Sequence, residues 1–248
     1  MNSLKHKQQS LPEDVIITLA EGILRGLEHC HSNGVMHRDI KPSNILLSEH
    51  GAIKLADFGI ARPIMREEAG KSRSTQTLLP SFEYTNQVSS RWYRAPEVLF
   101  GATRYGPAID VWAAGLIIAE LFNGEPLVPG GSDIEQLARV LAMRGTPLES
   151  TPPWKGAKDL PDFKKVSFKP TLKPNLQSLV PNAPQVALDL IDSLLTLDPA
   201  RRPSAAAALT HPFFQQPHAP LYEIASIIDE ALKELGDRKT ETLSSNSL

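Results

Sequence analysis

A short polar stretch near the start of the chain carries side chains suited to moving a phosphoryl group. Asp39 supplies a carboxylate, Lys41 a positive charge and Asn44 an amide oxygen, and a second carboxylate follows at Asp57. Phosphoryl transfer needs a carboxylate that orients the attacking hydroxyl, oxygen ligands for Mg²⁺ and positive charge near the transferred group. The residue types therefore assign Asp39 to the hydroxyl, Asn44 and Asp57 to the metal, and Lys41 to the phosphoryl group.

A predicted β-hairpin positions the two metal-ligand candidates. The apolar runs 45–47 and 53–55 flank a turn at residues 49–51, a pattern typical of a hairpin. Because the hairpin begins after Asn44 and ends just before Asp57, its open end is expected to place these side chains together.

The remaining pattern is mainly helical. Helices are predicted over residues 10–31, 108–122, 132–143, 184–197 and 221–235, with a short one after Pro203. Ser10 with Glu13, and Ser132 with Glu135, have the spacing of capping boxes at two of these helix starts.

Composition excludes several classes of protein. The chain has 248 residues, 41% hydrophobic and 22% charged, as expected for a globular domain. The net charge of -2 argues against a nucleic-acid partner, and the single cysteine, Cys30, excludes an internal disulfide. The longest mostly apolar run, residues 111–122, is too short to span a membrane. No signal peptide is apparent, so neither a membrane partner nor secretion is expected.

Several motifs resemble those of the protein kinases. HRDIKPSN at 37–44 is similar to the family's catalytic loop, DFG at 57–59 to its magnesium motif and APE at 95–97 to the motif that follows. The resemblance runs from about residue 10 to residue 214. It implies that Glu97 pairs with Arg202 and that Asp110 holds the backbone of the catalytic loop.

Finer features resemble one kinase group. Lys41, two residues after Asp39, resembles the serine/threonine kinases, and the block RWYRAPEVL at 91–99 resembles the cyclin-dependent and mitogen-activated kinases. The stretch GSDIEQLARVLAMRGTP is similar to the cell cycle-related kinase branch, with the group's insert at residues 145–181. The resemblance implies a serine/threonine kinase that uses ATP and Mg²⁺ and modifies Ser or Thr, typically before Pro, in protein substrates. Lys41, Asn44 and Asp57 would bind the nucleotide and its metal. The resemblance also implies a protein of the cytoplasm, the nucleus or both.

The resemblance also suggests a regulatory phosphosite. Thr85 falls in the activation segment, residues 57–97, where cyclin-dependent kinases are phosphorylated. Arg38 and Arg62 stand where two of the family's phosphate-clamping arginines stand, and a phosphate there would order the loop. The alternative is a solvated loop threonine.

The expected fold is mainly α: a kinase-like C-terminal lobe with one small hairpin, and the N-terminal β lobe absent. Only 38 residues precede Asp39, and neither a glycine-rich G-x-G-x-x-G loop nor a V-A-I-K lysine is found. The expected divisions are a polar leader at 1–9, the lobe at 10–214, a C-terminal helix at 215–236 and a disordered tail at 237–248.

Two hypotheses follow from that expectation. One is a truncated cyclin-dependent-type kinase, which would need the missing lobe for activity and for any cyclin or cyclin-like activator. The other is a one-lobed, non-catalytic binding protein derived from such a kinase. A chain without the lobe is expected to bind Mg-ATP poorly and to phosphorylate little.

Overall fold

The computed structural model describes residues 11–64, 91–150 and 152–227. Its α-helices are α1 (Glu13–Ser32), α2 (Pro96–Leu99), α3 (Ala108–Asn123), α4 (Asp133–Arg144), α5 (Gln185–Leu194) and α6 (Ala205–Ala208). Residues 221–227 are also helical. The strands are β1 (Val35–Met36), β2 (Ile45–Leu47), β3 (Ile53–Leu55) and β4 (Arg62–Pro63). Among the described residues, no helix is both long enough and apolar enough to cross a membrane.

The helix α3 forms the centre of the core. Its apolar residues surround the helix, and Trp112 and Ile118 are fully buried. A helix that is apolar on all faces must be enclosed by other elements, and α3 packs against both α1 and α5. Gly124, in the left-handed region at φ 74°, ends the helix.

The hairpin of β2 and β3 lies directly against α1. The two strands pair antiparallel, with Ile45 opposite Leu55, so the predicted strand bounds are confirmed. Gly22 and Gly26 of α1 permit the close approach, because a Cβ atom at Gly22 would lie 2.4 Å from Cδ1 of Ile53. One at Gly26 would lie 2.9 Å from Cγ of Leu55. These close contacts fix the distance between the hairpin and α1, and they therefore fix the position of the hairpin's open end.

A second sheet was not predicted. Strands β1 and β4 pair antiparallel, with Met36 opposite Arg62, and the Ile64 amide donates to the Gly34 carbonyl at 2.7 Å. Two-residue strands are too short to show an alternating pattern, so the prediction of a single hairpin was incomplete. The pairing places the chain after Asp57 beside the chain that leads into the catalytic loop.

The C-terminal segment folds back along α1. The Ala219 amide donates to the Asp14 carbonyl at 3.2 Å, and the Thr18 hydroxyl donates to the Ala219 carbonyl at 3.1 Å. Ile224 is buried beside Val15 in a small separate apolar cluster. Only residues 221–227 of the helix predicted over 221–235 are described; the expected leader at 1–9 and tail at 237–248 lie outside the described residues.

One of the two predicted capping boxes is formed only in part. The Glu135 amide donates to the Ser132 hydroxyl at 3.2 Å, although the Glu135 carboxylate accepts from the Gly131 amide instead of returning to Ser132. Ser10 lies outside the described residues, and α1 begins after Pro12 without a side-chain cap.

Candidate functional site

Asp39 is the centre of a compact polar cluster. The side chain of Lys41 donates to Oδ2 of Asp39 at 2.6 Å. The amide nitrogen of Asn44 donates to the same oxygen at 3.0 Å and to the Asp39 backbone carbonyl at 2.8 Å. Asp39 and Asn44 are both buried. The structure therefore brings together three of the four residues that the sequence assigned to chemistry, around one carboxylate.

The open end of the hairpin brings the fourth residue towards the cluster. The Ala56 amide donates to the Asn44 carbonyl at 2.9 Å, continuing the ladder one step beyond β2 and β3. Asp57 follows immediately and is exposed, with a left-handed backbone at φ 64°. Aspartate tolerates this region better than most residues, and its Oδ1 accepts from the Gly59 amide at 3.3 Å.

Asp110, at the start of α3, supports the catalytic loop from below. Its Oδ1 accepts from the Arg38 amide at 2.8 Å and its Oδ2 from the His37 amide at 2.9 Å. The carboxylate is buried, and these bonds fix a backbone that carries a left-handed residue, Arg38 at φ 73°. A buried carboxylate needs such partners, because burial without them is costly.

His37 links the loop to the hairpin. Its Nδ1 accepts from the Asp39 amide at 3.3 Å, which leaves Nε2 to donate to the Ala56 carbonyl at 2.9 Å. Its ring also lies 4.6 Å from that of Phe58, centroid to centroid. The buried imidazole thus fixes Asp39 relative to the residue that precedes Asp57.

His31 was missed by the sequence analysis. Its Nε2 lies 2.9 Å from Oδ2 of Asp110, so the last turn of α1 contacts the carboxylate that supports the loop. Its position, six residues before His37, was the available signal, but a histidine in the last turn of a helix has many ordinary explanations.

The phosphosite predicted at Thr85 lies outside the described residues. Of the two arginines assigned to it, Arg38 is buried, with its guanidinium 5.7 Å from the centre of the Tyr105 ring. Arg62 is exposed on β4 and donates to the Ala61 carbonyl at 3.1 Å.

Glu97 and Arg202 form a bidentate buried ion pair. The two guanidinium–carboxylate distances are 2.8 and 2.7 Å. Arg202 also donates to the carbonyls of Thr196, Leu197 and Ala108, and it lies 5.1 Å from the centre of the Trp112 ring. This contact joins α2, α3 and the segment before α6, and so fixes the chain that follows the activation segment.

A second charged cluster anchors the same region to α4. Arg91 and Arg94 contact Oδ1 of Asp133 at 2.8 and 3.0 Å. Partial burial opposes ionisation of Asp133, but the hydrogen bonds and charges of the two arginines hold the pKa of its carboxyl below the ordinary value. The indole of Trp92 donates to the Gly130 carbonyl at 3.1 Å. The residues just before the APE motif are therefore attached to the start of α4.

Comparisons with known proteins identify the family. The model of the protein kinase domain matches residues 1–214. Cyclin-dependent kinase 20 of Rattus norvegicus is 41% identical over 211 residues, which cover 85% of this chain and 57% of that protein. Cyclin-dependent kinase F-3 of Oryza sativa subsp. japonica is 43% identical over 211 residues, covering 85% and 45%. The chain thus spans about half of the length of these curated relatives.

Solved structures agree with the family match. A structure of the CAK complex from Chaetomium thermophilum bound to ATP-gamma-S contains a chain that is 30% identical, with a TM-score of 0.76 and coverage of 87% of this chain and 64% of that one. A chain of the yeast RNA Pol II CTD kinase CTDK-1 complex is also 30% identical, with a TM-score of 0.73 and coverage of 87% and 67%.

The predicted fold class, a C-terminal lobe with the N-terminal β lobe absent, is contradicted by these findings. The family match begins at residue 1 and so includes the residues expected to form a leader outside the domain. The described β-strands, between residues 35 and 63, are also more extensive than the single hairpin expected. The expectation depended on the 38 residues that precede Asp39 and on failing to find two short motifs, whereas a family model weighs every position along the chain.

That correction removes the ground for treating the chain as a truncated kinase or as a one-lobed binding protein. The kinase-like motifs, the geometry around Asp39 and the family match over residues 1–214 agree with one another. The chain belongs to the protein kinase domain family, and within it the chain is similar to cyclin-dependent kinases.

Proposed function

We propose that the protein is a serine/threonine kinase that transfers the γ-phosphate of ATP to Ser or Thr residues followed by Pro in protein substrates. The observation that carries the proposal is the cluster in which Lys41 and Asn44 both contact Oδ2 of Asp39. An ordered carboxylate beside a fixed ammonium group is the arrangement that phosphoryl transfer to a hydroxyl requires.

Each polar side chain has a distinct part in this proposal. Asp39 accepts the hydrogen bond of the substrate hydroxyl and directs its oxygen at the phosphorus atom. Lys41, 2.6 Å from Asp39, neutralises the oxygens of the phosphoryl group as it moves. Asp110 and His37 are positioning residues, because they fix the backbone around Asp39 without reaching the substrate.

The donor set fits Mg²⁺. The amide nitrogen of Asn44 is used by Asp39, which directs the amide oxygen away from that carboxylate. Asp57 is exposed, and within the described parts of the chain its Oδ1 accepts from the Gly59 amide while its Oδ2 has no partner. Both residues therefore offer oxygen, the ligand atom that Mg²⁺ prefers. Mg²⁺ bound there would supply positive charge to the phosphate oxygens of ATP.

ATP use is supported by the relatives. The CAK complex structure contains ATP-gamma-S, and the family as a whole transfers the γ-phosphate. Both solved structures are of complexes, and the curated relatives are named for cyclin dependence. A cyclin or cyclin-like activator is accordingly part of the proposal. We further propose that the protein acts in the cytoplasm or the nucleus.

Peptide phosphorylation tests the specificity. The tagged protein is purified from cells, so that a required activator is recovered with it, and γ-phosphate transfer is measured to peptides that differ at one position. A Ser-Pro peptide is expected to be phosphorylated at least about tenfold faster than its Ser-Ala counterpart, and a Tyr-Pro peptide not at all.

The Asp39→Asn variant, purified in parallel, controls for kinases that co-purify. Its expected loss of rate is at least about a hundredfold, the contribution typical of a catalytic acid–base group. Equal rates on the Ser-Pro and Tyr-Pro peptides would contradict the serine/threonine assignment. An unimpaired Asp39→Asn variant would show that the activity belongs to another protein.

Regulation through Thr85 is a separate part of the proposal. A phosphate there carries about -1.5 to -2 charge and would be held by Arg38 and Arg62. Thr85→Ala is expected to lower the rate several-fold, measured against wild-type protein whose phosphorylation at Thr85 is verified by mass spectrometry. The matched control is Thr75→Ala in the same segment, which is expected to change little. An unchanged rate in Thr85→Ala would remove the residue from regulation.

A further inference from the structure

A second concave surface is separate from the candidate catalytic site. It is a cavity of about 590 Å³ between the last turn of α1, the start of α3 and residues 199–206. None of the residues assigned to phosphoryl transfer lines it. Its volume lies in the range of about 300–1,000 Å³ typical of small-molecule sites.

The lining is apolar apart from a few groups. Pro107, Val111, Pro203 and Ala206 are among the apolar residues, and apolar atoms make up most of the wall. Such a surface favours the transfer of an apolar molecule out of water. The character of the ligand is then decided by the ionisable side chains at the wall.

The ionisable side chains of the wall differ in whether they already have a partner among the described residues. His31 is engaged by Asp110 at 2.9 Å. The side chain of Arg202 is inaccessible, and its donors are used by Glu97 and by backbone carbonyls. Glu28 is half-buried, and within the described parts of the chain it makes neither a hydrogen bond nor an ion pair. Glu28 is therefore the one carboxylate in the wall, and none of the described residues pairs with it.

We propose that this cavity binds a small apolar molecule that carries a cationic nitrogen. The nitrogen lies against the Glu28 carboxylate, where a charge-assisted hydrogen bond forms, and the apolar body lies against Pro107, Val111 and Pro203. Because the carboxylate can form this charge-assisted contact only with a donor, a cation is preferred over a neutral or an anionic ligand of the same shape.

The position of the cavity gives the site a link to catalysis. His31 forms part of the wall and also contacts Asp110, the residue that fixes the amides of His37 and Arg38. Arg202 connects the same wall to Glu97. A bound ligand thus lies against His31, which contacts the carboxylate that supports the catalytic loop, while the inaccessible side chain of Arg202 lies behind the same wall.

Two fluorescent probes that share an apolar body test the proposal. Dansylcadaverine ends in a primary amine and dansylglycine in a carboxylate, and each is titrated into the full chain while dansyl emission is recorded. Saturable one-to-one binding is expected for dansylcadaverine, with affinity at least about tenfold above that of dansylglycine, because only the amine gains the contact with Glu28.

Four variants locate the binding. Glu28→Gln is expected to weaken dansylcadaverine about tenfold and to remove the preference for the cation, whereas Glu49→Gln, on the exposed hairpin turn, leaves binding unchanged. Ala206→Trp fills the cavity from an exposed position and is expected to abolish binding of both probes. Ala207→Trp, on the same helix but outside the wall, is its control.

Three outcomes would overturn the proposal. One is the absence of saturable binding, as expected if another segment of the chain or a second copy fills the cavity. Another is equal affinity for the two probes, which would mean that Glu28 does not select a cation. The third is binding that survives both Glu28→Gln and Ala206→Trp, which would place the probe elsewhere. All three are independent of whether the protein phosphorylates peptides.

Discussion

Replacing Asp57 with asparagine is expected to lower phosphoryl transfer by about a thousandfold while leaving the fold intact. The change replaces the charged carboxylate, one of the two predicted ligands for Mg²⁺, with a neutral amide and so weakens metal binding. Stabilisation of the transferred group's charge by the metal contributes several kcal/mol. Asparagine adopts the left-handed backbone of Asp57 as readily as aspartate does. Its side-chain oxygen can still accept from the Gly59 amide, so the local turn is preserved.

The measurement is the rate of γ-phosphate transfer to a Ser-Pro peptide, together with the melting temperature of the variant. Asp159→Asn is the matched control, because Asp159 is exposed and lies in the insert, away from the hairpin. The melting temperatures of both variants should match that of the wild type. A rate for Asp57→Asn within twofold of wild type would refute the assignment of Asp57 to the metal.

Arg202→Met is expected to reduce the free energy of unfolding by about 3–5 kcal/mol. The change leaves the Glu97 carboxylate buried without its cation, which is the costly way to disrupt a buried ion pair. It also leaves the Thr196, Leu197 and Ala108 carbonyls without this donor. Methionine retains much of the apolar stem, so lost packing accounts for little of the effect.

A double-mutant cycle, with free energies of unfolding measured in urea, separates the effect of the unpaired Glu97 charge from the loss of the other Arg202 contacts. Glu97→Gln in the Arg202→Met background is expected to recover at least about 1 kcal/mol, because the buried group is then neutral. Arg201→Met is the control, since that neighbouring side chain is exposed and should change stability by less than about 0.5 kcal/mol. If Arg201→Met and Arg202→Met were equally destabilising, the ion pair would not be the cause.

Local sequence patterns predicted the elements that carry the candidate site. The hairpin strands at 45–47 and 53–55 were recognised because each is apolar and the turn between them contains glycine. The helices over 108–122 and 132–143 were placed within one residue at each end, because long apolar periodicity is a strong local signal. By contrast, the prediction that the N-terminal lobe is absent was wrong; it was inferred from the short stretch before Asp39 and from two motifs that were not found.

Contacts between distant parts of the chain were harder to predict from the sequence. The pairing of β1 with β4 joins two-residue strands separated by more than 20 residues, too short for either to be recognised alone. The contact of His31 with Asp110 joins residues 79 positions apart. Neither can be predicted from local spacing, because each joins segments that meet only in the folded chain; the second depends on how α1 packs against α3.

The sequence by itself determined which residue types are present for chemistry: Asp39, Lys41, Asn44 and Asp57, in an order and at spacings typical of a protein kinase. Local patterns can specify such a set because one short loop and one hairpin carry all four side chains. Only the tertiary structure decided how the loop is supported, through Asp110, His31 and the packing of the hairpin on Gly22 and Gly26. It alone also revealed the cavity beside Glu28, because a concave surface is formed by elements that meet only after the core has packed.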